Sequence, residues 1–251
     1  MIPDSGPTHN RILDLLPENE RRQLEASLTD VSFVSGEVVH RVGDPANQVY
    51  FPTTAVFSII TIMHDGTAVE VTTIGREGLS GSLSVLLDYS HENTQTIAQI
   101  PGDAKCIPTE KFAQYIQGNT ALTRLTKSYA RSMVALMSQS IACNRLHTLI
   151  ERCARWLLMT HDRVGSGEFG LTQEFLAMML GVHRPAVSIA AGTLQQAGFI
   201  RYRRGRVTVT DRAGLETAAC ECYTTASGLI NGFGEGKSHG GPSQKQAAKL
   251  K

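Results

Sequence analysis

Residues 172–200 constrain the fold of this chain most, because their pattern predicts two short helices joined by a tight turn. Thr172 is a favourable N-cap, and apolar residues follow it at helical spacing. Gly181 supplies a left-handed position that would end the first helix. Pro185 suits the first turn of a second helix, where its missing N–H would be unpaired anyway. This order is typical of a helix-turn-helix, whose second helix enters the major groove of DNA.

A basic hairpin is predicted directly after the second helix. Arg201, Arg203, Arg204 and Arg206 lie within six residues, and Val and Thr alternate over residues 207–210. Arginines on such a hairpin are natural contacts for DNA phosphates, and each would add to a salt-dependent affinity. The alternative is an ordinary run of solvated charge. Together with the helix pair, the hairpin indicates a winged helix-turn-helix.

Formal charge is distributed unevenly along the chain. Residues 1–110 contain six Lys or Arg against 15 Asp or Glu, a net charge of −9. Because the whole chain carries +1, residues 111–251 carry +10. This asymmetry favours an acidic sensor or partner-binding half joined to a half that binds a polyanion, although an acidic domain can also serve solubility alone.

The N-terminal half has the pattern of an all-β domain. From residue 31 to residue 107 the apolar period is two, with Gly, Pro and Asp between the runs, and Asp65-Gly66 predicts a tight hairpin. The predicted strands cover residues 31–33, 36–39, 43–45, 49–51, 56–63, 69–74 and 97–100. Short, closely spaced strands without intervening helices indicate an antiparallel β-roll or barrel of roughly 80 residues, of jelly-roll or cupin-like type.

The pattern becomes helical after residue 108. A short helix is expected over residues 111–116, a long helix over 120–143, a further one over 145–161 and a last one over 214–223. Residues 224–251 lack periodicity and are predicted to form a disordered tail. The fold class is therefore α+β, with a sensor β-roll at 1–118, the long helix at 119–144, the winged helix-turn-helix at 145–223 and the tail at 224–251.

The long helix carries apolar residues at a three-four spacing that fits a two-helix dimer seam. The seam positions are Leu122, Leu125, Tyr129, Leu136 and Cys143, with Ser132 and Gln139 at the polar ones. The alternative is that this face packs against the chain's own β domain.

The five cysteines predict no metal site and no cofactor. They form no Cys-x-x-Cys pair, and the thiolates of Cys220 and Cys222 alone do not make a tetrahedral site. Residues 1–10 lack the charged and apolar regions of a secretory signal, and no run approaches the ~18 apolar residues of a membrane span. We therefore expect a cytoplasmic protein with reduced thiols and no membrane partner.

The order of acidic β-roll, long helix and winged helix-turn-helix resembles the Crp/Fnr family of bacterial transcription regulators. The resemblance covers residues 15–223 and is carried best by residues 36–39, 41–44, 49–51, 74–78 and 171–211. It implies a regulator that is not an enzyme. It also implies a homodimer through residues 120–143, double-stranded DNA as partner and RNA polymerase as a further partner.

The resemblance also implies which residues meet DNA. The groove-reading positions fall on His183, Arg184, Pro185, Ser188 and Ile189. Arg184 matches an arginine that could pair bidentately with guanine, whereas Pro185 and Ile189 replace charged residues usual in the family. The phosphate-contacting positions fall on Thr172 and Gln173 at the first helix N-terminus, and on Arg203, Arg204 and Arg206 of the wing.

The sensor half departs from the cyclic-nucleotide binders of the family. Their Arg-Ser-Ala motif, whose arginine meets the cyclic phosphate, is replaced by a segment that begins at Glu92, and no Lys or Arg occurs between Arg76 and Lys105. Because a buried phosphate needs a cationic partner, cyclic AMP binding is not expected, and the effector stays unknown. An iron–sulfur cluster is not expected either, since the first cysteine is Cys106.

The alternatives to a DNA-binding regulator are a sensor or adaptor and an enzyme. In a DNA-independent sensor or adaptor, the helix-turn-helix would serve as a protein-binding surface. A cupin-type enzyme would need a His-x-His or a similar ligand cluster within residues 30–107, where His40, His64 and His91 are scattered.

Overall fold

The computed structural model describes residues 10–233. Two short helices precede a β-roll, which one more helix interrupts. In chain order these elements are α1 (Arg11–Asp14), α2 (Glu18–Glu25), β1 (Thr29–Phe33), β2 (Val38–His40), β3 (Gln48–Pro52), β4 (Val56–Ile62), β5 (Ala68–Ile74), α3 (Ser82–Leu86), β6 (Gln95–Ile100) and β7 (Gly102–Pro108).

The β-roll consists of two antiparallel sheets, with strand orders β1-β7-β3 and β2-β6-β4-β5. Six of the predicted strand segments are confirmed, including the hairpin at Asp65-Gly66, which joins β4 to β5. Residues 43–45 make only an isolated bridge, between Pro45 and His91. Strand β7 and helix α3 were not predicted. An aromatic cluster of Phe33, Tyr50 and Phe57 packs edge-to-face inside the roll.

Helix α4 (Thr109–Tyr115) leads to the long helix α5 (Ala121–Leu146), whose first turn is capped by Thr120, as predicted. One face of α5 is buried against the roll, α1, α3 and the C-terminal helix. Tyr129 on this face lies so close to Gly78 that a Cβ there would be 2.1 Å from the tyrosine ring. All the positions predicted to form the dimer seam lie on this face or at its margin, buried or half-buried. The predicted set of seam positions was therefore wrong. The alternative, that this face of α5 packs within the chain, is correct.

The C-terminal half is a winged helix-turn-helix. It consists of α6 (Leu149–Val164), β8 (Glu168–Gly170), α7 (Gln173–Leu180), α8 (Arg184–Gln196), β9 (Ile200–Arg203), β10 (Arg206–Val209), α9 (Arg212–Ala218) and α10 (Cys222–Gly232). The strands form a sheet in the order β8-β10-β9, so the predicted hairpin gains a third strand. The core of this half is continuous with apolar residues of the roll, among them Val56, Ile60 and Ile97. The two halves therefore pack against each other.

The end of the described chain differs from the prediction. Instead of one helix over 214–223 and a disordered tail, α9 and α10 are separate helices, and α10 packs along α5. Phe233 is 2% exposed; its ring lies 5.5 Å from that of Tyr129 and 4.8 Å from the guanidinium of Arg11. Residues 222–233 escaped prediction because Gly, Ser and Thr are weak helix formers whose order here depends on tertiary packing. Residues 234–251 lie outside the described residues.

Within residues 10–233, no single helix is both long and apolar enough to cross a membrane. The pair α7 and α8, bent by 104°, meets that criterion together, by length and composition only.

Candidate nucleic-acid interface

The helix-turn-helix forms through the local signals that the sequence carries. The Thr172 hydroxyl accepts a hydrogen bond from the Phe175 N–H at 3.1 Å, which caps α7. Gly181 ends α7 in the left-handed region at φ 63°, where a side chain would be strained. His183 is the extended N-cap of α8, and Pro185 lies in its first turn. These features fix the angle at which α8 leaves α7.

One face of α8 is buried, and this orients the other face toward solvent. Val187, Ala190, Ala191 and Leu194 are at most 2% exposed and pack on α6 and α7. The predicted groove-reading residues all lie on the exposed side; they are His183, Arg184, Pro185, Ser188 and Ile189. Ile189 is 71% exposed, and such exposure to solvent is unusual for an isoleucine. The structure thus brings these five residues together at the N-terminal half of α8.

Two of the predicted groove-reading residues contact the N-terminal part of α7. A guanidinium nitrogen of Arg184 lies 3.2 Å from a carboxylate oxygen of Glu174. The Ser188 hydroxyl donates to the side-chain oxygen of Gln173 at 2.7 Å. The Arg184–Glu174 pair is exposed and is worth about 1 kcal/mol or less, so DNA would displace it readily.

The wing lies beside the N-terminus of α7. A two-residue turn at Arg204 and Gly205, both with positive φ (50° and 71°), joins β9 to β10. The Leu171 N–H donates to the Gly205 carbonyl at 2.7 Å, and a Cβ at Gly205 would lie 4.0 Å from the Thr172 methyl. The predicted phosphate contacts on the wing and on α7 are therefore neighbours.

The predicted wing arginines are all exposed, but they differ in their partners. Arg206 forms an ion pair with Glu168 on β8, and hydrogen bonds from Arg206 and Thr208 hold the pKa of the Glu168 carboxyl below its usual value. Arg203 lies opposite Arg206 in the β9–β10 register, and Arg204 is at the tip of the turn. Arg204 is thus the wing arginine most available to a phosphate.

A buried carboxylate, Glu92, lies in the β-roll, in the segment that the sequence predicts to replace the family's phosphate-binding arginine. Glu92 is 8% exposed; it accepts a hydrogen bond from the Ser84 hydroxyl at 3.3 Å and lies 3.5 Å from His40 Nδ1. Burial raises the pKa of Glu92 and lowers the pKa of His40 to about 4. A Cβ at Gly81 would be 2.3 Å from the Gln48 carbonyl and 3.2 Å from the His40 ring, so the chain at Gly81 packs closely against β2 and β3. An ionised Glu92 would repel an anion bound beside it.

Polar contacts tie α6, the helix before the helix-turn-helix, to the β-roll. The Trp156 indole N–H donates to Glu70 at 2.9 Å. The Gln99 amide donates to the Thr160 hydroxyl, also at 2.9 Å. Helix α6 also packs on α8, so it lies between the β-roll and the helix that carries the predicted groove-reading residues.

Sequence reasoning missed a cluster of donors where α5, α6 and α10 meet. The ligand atoms of Cys143, His147, Cys220 and Cys222 all lie within 4.8 Å of one another. The premise that Cys220 and Cys222 lack partners was therefore wrong. The spacing of Cys143 and His147, four residues apart across the end of α5, was the only sequence signal for the other half of the cluster.

Two family models match the chain. A Crp-like helix-turn-helix domain matches residues 151–218, and a cyclic nucleotide-binding domain matches residues 30–119. No curated protein sequence matches.

Solved structures of similar architecture cover most of the chain. FixK2 from Bradyrhizobium japonicum has a TM-score of 0.66 and 17% identity over 77% of this chain and 98% of its own. A putative Crp/Fnr-family transcriptional regulator from Eubacterium rectale has a TM-score of 0.64 and 17% identity, over 82% and 96%. A CRP/FNR-family regulator from Thermus thermophilus has a TM-score of 0.63 and 20% identity, over 76% and 98%. At these identities the likeness establishes the fold.

Proposed function

Because its cyclic nucleotide-binding domain and Crp-like helix-turn-helix domain make this chain a member of the Crp/Fnr family, we propose that it is a homodimeric, sequence-specific DNA-binding regulator of transcription. Members of the family are transcription regulators, so a cupin-type enzyme is set aside. Binding to bacterial DNA would place its action in the cytoplasm. RNA polymerase would be the further partner of a complex that activates transcription.

The observation that carries this proposal is the exposed N-terminal half of α8 beside the wing. The buried face of α8 holds the helix in place, while Arg184 and Ser188 project from the opposite side. Arginine can pair bidentately with the O6 and N7 of guanine, and an apolar residue such as Ile189 can contact a thymine methyl. Arg204 at the wing tip supplies a phosphate contact that fixes register without reading sequence. A sequence-specific DNA-binding protein combines these two kinds of contact, base contacts for specificity and phosphate contacts for position.

A different face of α5 supports the homodimer. The positions Lys127, Arg131, Val134, Ser138, Ile141 and Arg145 follow a strict four-three spacing and are all exposed. Val134 and Ile141 are 60% and 72% exposed, which suits the apolar positions of a two-helix seam. Two copies joined along this stripe would present two α8 helices, and such dimers bind half-sites about 34 Å apart.

The sensor interior supports an effector other than cyclic AMP. Glu92 is a buried carboxylate in the segment where the resemblance implies the phosphate-binding arginine, and it cannot supply the cation that a buried phosphate needs. A signal of another kind would act by favouring one arrangement of the roll and the DNA-binding domain over another. The hydrogen bonds of Glu70 and Gln99 with α6 connect the roll to the DNA-binding domain, so they would differ between the two arrangements.

A gel-shift assay on genomic fragments at several salt concentrations tests the proposal. We expect a subset of fragments to bind tightly, with a steep loss of affinity as salt rises, because phosphate contacts release counterions. An adaptor that uses the helix-turn-helix to hold a protein would bind all fragments weakly or not at all. Either of those two results would refute a sequence-specific regulator.

A further inference from the structure

Three buried cysteines and one histidine form a compact group apart from both apolar cores. Cys143 and Cys222 are fully buried and Cys220 is 6% exposed. Cys143 comes from the last turns of α5, His147 caps the end of that helix, and Cys220 and Cys222 flank the start of α10. The group therefore joins the junction between α5 and α6 to the C-terminal helix α10.

The spacing of the donor atoms matches a tetrahedral site. The Sγ atoms of Cys143 and Cys220 are 3.5 Å apart, and the Sγ of Cys222 is 3.5 Å from His147 Nδ1. With Zn–S near 2.3 Å and Zn–N near 2.0 Å, a tetrahedron has S···S edges of about 3.8 Å and S···N edges of about 3.5 Å. All four atoms lie within 4.8 Å of one another, so closure around one ion needs shifts of about 1 Å or less.

The surroundings orient the histidine as a metal ligand requires. His147 Nε2 lies 3.1 Å from the Glu221 carboxylate, which leaves Nδ1 facing the sulfur atoms. A carboxylate on the second ring nitrogen is the usual partner of a histidine bound to zinc, because it fixes the tautomer and raises ligand basicity. The Gln139 amide donates to the Cys222 Sγ at 3.0 Å, as a donor to a thiolate would. Glu221 and Gln139 thus position His147 and Cys222, respectively.

We propose that Cys143, His147, Cys220 and Cys222 form a structural Zn²⁺ site that fastens the C-terminal helix and the DNA-binding domain to the end of the long helix. Three thiols release their protons to solvent when the ion binds, and the histidine binds as the neutral imidazole. The resulting site has a net charge of −1. The guanidinium of Arg152, which interacts electrostatically with Cys143 and Cys220, offsets that charge.

The donor set favours zinc over other metals. Thiolate and imidazole donors in a tetrahedron suit Zn²⁺, whereas Mg²⁺ and Ca²⁺ require oxygen ligands. An iron–sulfur cluster would hold several ions and sulfides between its ligands, and atoms within 4.8 Å of one another leave room for one ion. All four protein ligands are present, so the site is closed, as structural rather than catalytic zinc sites are.

The metal content of the full-length chain is the direct test. We expect one zinc per chain after purification without chelator, and Co²⁺ exchange should give the intense visible bands of a tetrahedral thiolate complex. Alkylation before and after zinc removal should show new reactivity at Cys143, Cys220 and Cys222 only. These measurements use the wild-type chain and involve no DNA. Their failure would therefore refute the zinc site without bearing on the proposed regulator function.

Matched variants locate the site. Cys222→Ser should lose the bound zinc and the cobalt spectrum, whereas Cys106→Ser, on the distant strand β7, should keep both. Glu221→Gln keeps the four ligands and should weaken zinc affinity by about 10- to 100-fold, because it alters only the histidine's partner. Far-ultraviolet circular dichroism verifies that each variant is folded.

Other outcomes would overturn the proposal. These are absence of zinc in the folded wild-type chain together with no cobalt spectrum, a Cys143–Cys220 disulfide in its place, or iron with inorganic sulfide. A Cys222→Ser variant that is folded and binds zinc as tightly as wild type would also refute it.

Discussion

A guanidinium nitrogen of Arg163, in α6, lies 2.7 Å from the carboxylate of Glu77 in the β-roll, and the two side chains are only 5% and 10% exposed. The Arg163 Nε–H also donates to that carboxylate at 2.9 Å, as does the Gly75 N–H at 3.1 Å. The pair is therefore a buried ion pair, with one Arg163–Glu77 hydrogen bond, that links the two halves. Helix α6, which carries Arg163, packs directly on α8, whose exposed side is the proposed DNA-binding surface.

Breaking this link should destabilise the chain strongly. Arg163→Met leaves the Glu77 carboxylate buried without a counter-charge, which costs about 3–5 kcal/mol of unfolding free energy. Adding Glu77→Gln to that variant should restore part of the loss, because the unpaired charge is removed. Urea unfolding followed by circular dichroism measures both. The control is Arg21→Met, whose partner Glu18 is 53% exposed; a loss in Arg163→Met no larger than in this control would contradict the prediction.

The exposed stripe of α5 should be the dimer seam. Ile141→Glu places like charges face to face across the two-fold axis and should raise the dimer dissociation constant about tenfold or more, which corresponds to ~1.4 kcal/mol. Val34→Glu is the matched control, since Val34 is 68% exposed on the roll, away from α5. Sedimentation equilibrium measures the change. If both variants remain equally dimeric, the seam is elsewhere.

Arg184 and Arg204 should contribute differently to DNA binding. Arg184→Ala should lose discrimination at one base position, worth roughly 1–3 kcal/mol, because we propose that Arg184 reads a base edge. Arg204→Ala should weaken all fragments alike and reduce the salt slope by about 1, because the wing tip meets phosphate. Gel shifts on a preferred fragment and a scrambled one, at two salt concentrations, separate the effects. If Arg184→Ala retains the sequence preference, the assignment of Arg184 is wrong.

The parts of the fold that depend on local signals could be predicted from the sequence. Thr172 as cap, Gly181 as left-handed stop and Pro185 in a first turn act within a few residues, and the structure has each of them in that role. The alternation of apolar and polar residues along β4 and β5, on either side of the Asp65-Gly66 turn, is also a local signal. The DNA-contacting roles of the residues on α8 stay predictions.

The features that depend on distant partners could not be predicted. The spacing of apolar residues on α5 showed a buried stripe but could not say whether another chain or the roll and α10 cover it. Residues 222–232 form a helix because they pack against α5, and Phe233 after them contacts Arg11. The weak helix propensity of these residues gives no sign of that packing. The donors Cys143 and Cys220 are 77 residues apart and meet only through that same packing.

The buried pair His40 and Glu92 should make stability depend on pH in a way that two variants can dissect. Burial lowers the pKa of His40 from 6.5 to about 4, so between those values the unfolded chain binds the histidine proton more readily than the folded chain. The stability contribution of His40 is therefore complete above pH 6.5 and is lost as the pH falls. Burial raises the pKa of Glu92, so the folded chain favours its protonated form and Glu92 opposes that loss.

The two substitutions should consequently act in opposite directions. From pH 7 to pH 5 the histidine contributes a loss of at most about 2 kcal/mol in unfolding free energy, at ~1.4 kcal/mol per pH unit below 6.5. His40→Gln should flatten the pH dependence, whereas Glu92→Gln should steepen it, because the opposing carboxylate is gone. Urea unfolding at pH 7, 6 and 5 measures the slope for each chain. Slopes that are unchanged in both variants, or changed in the same direction, would show that another group controls acid stability.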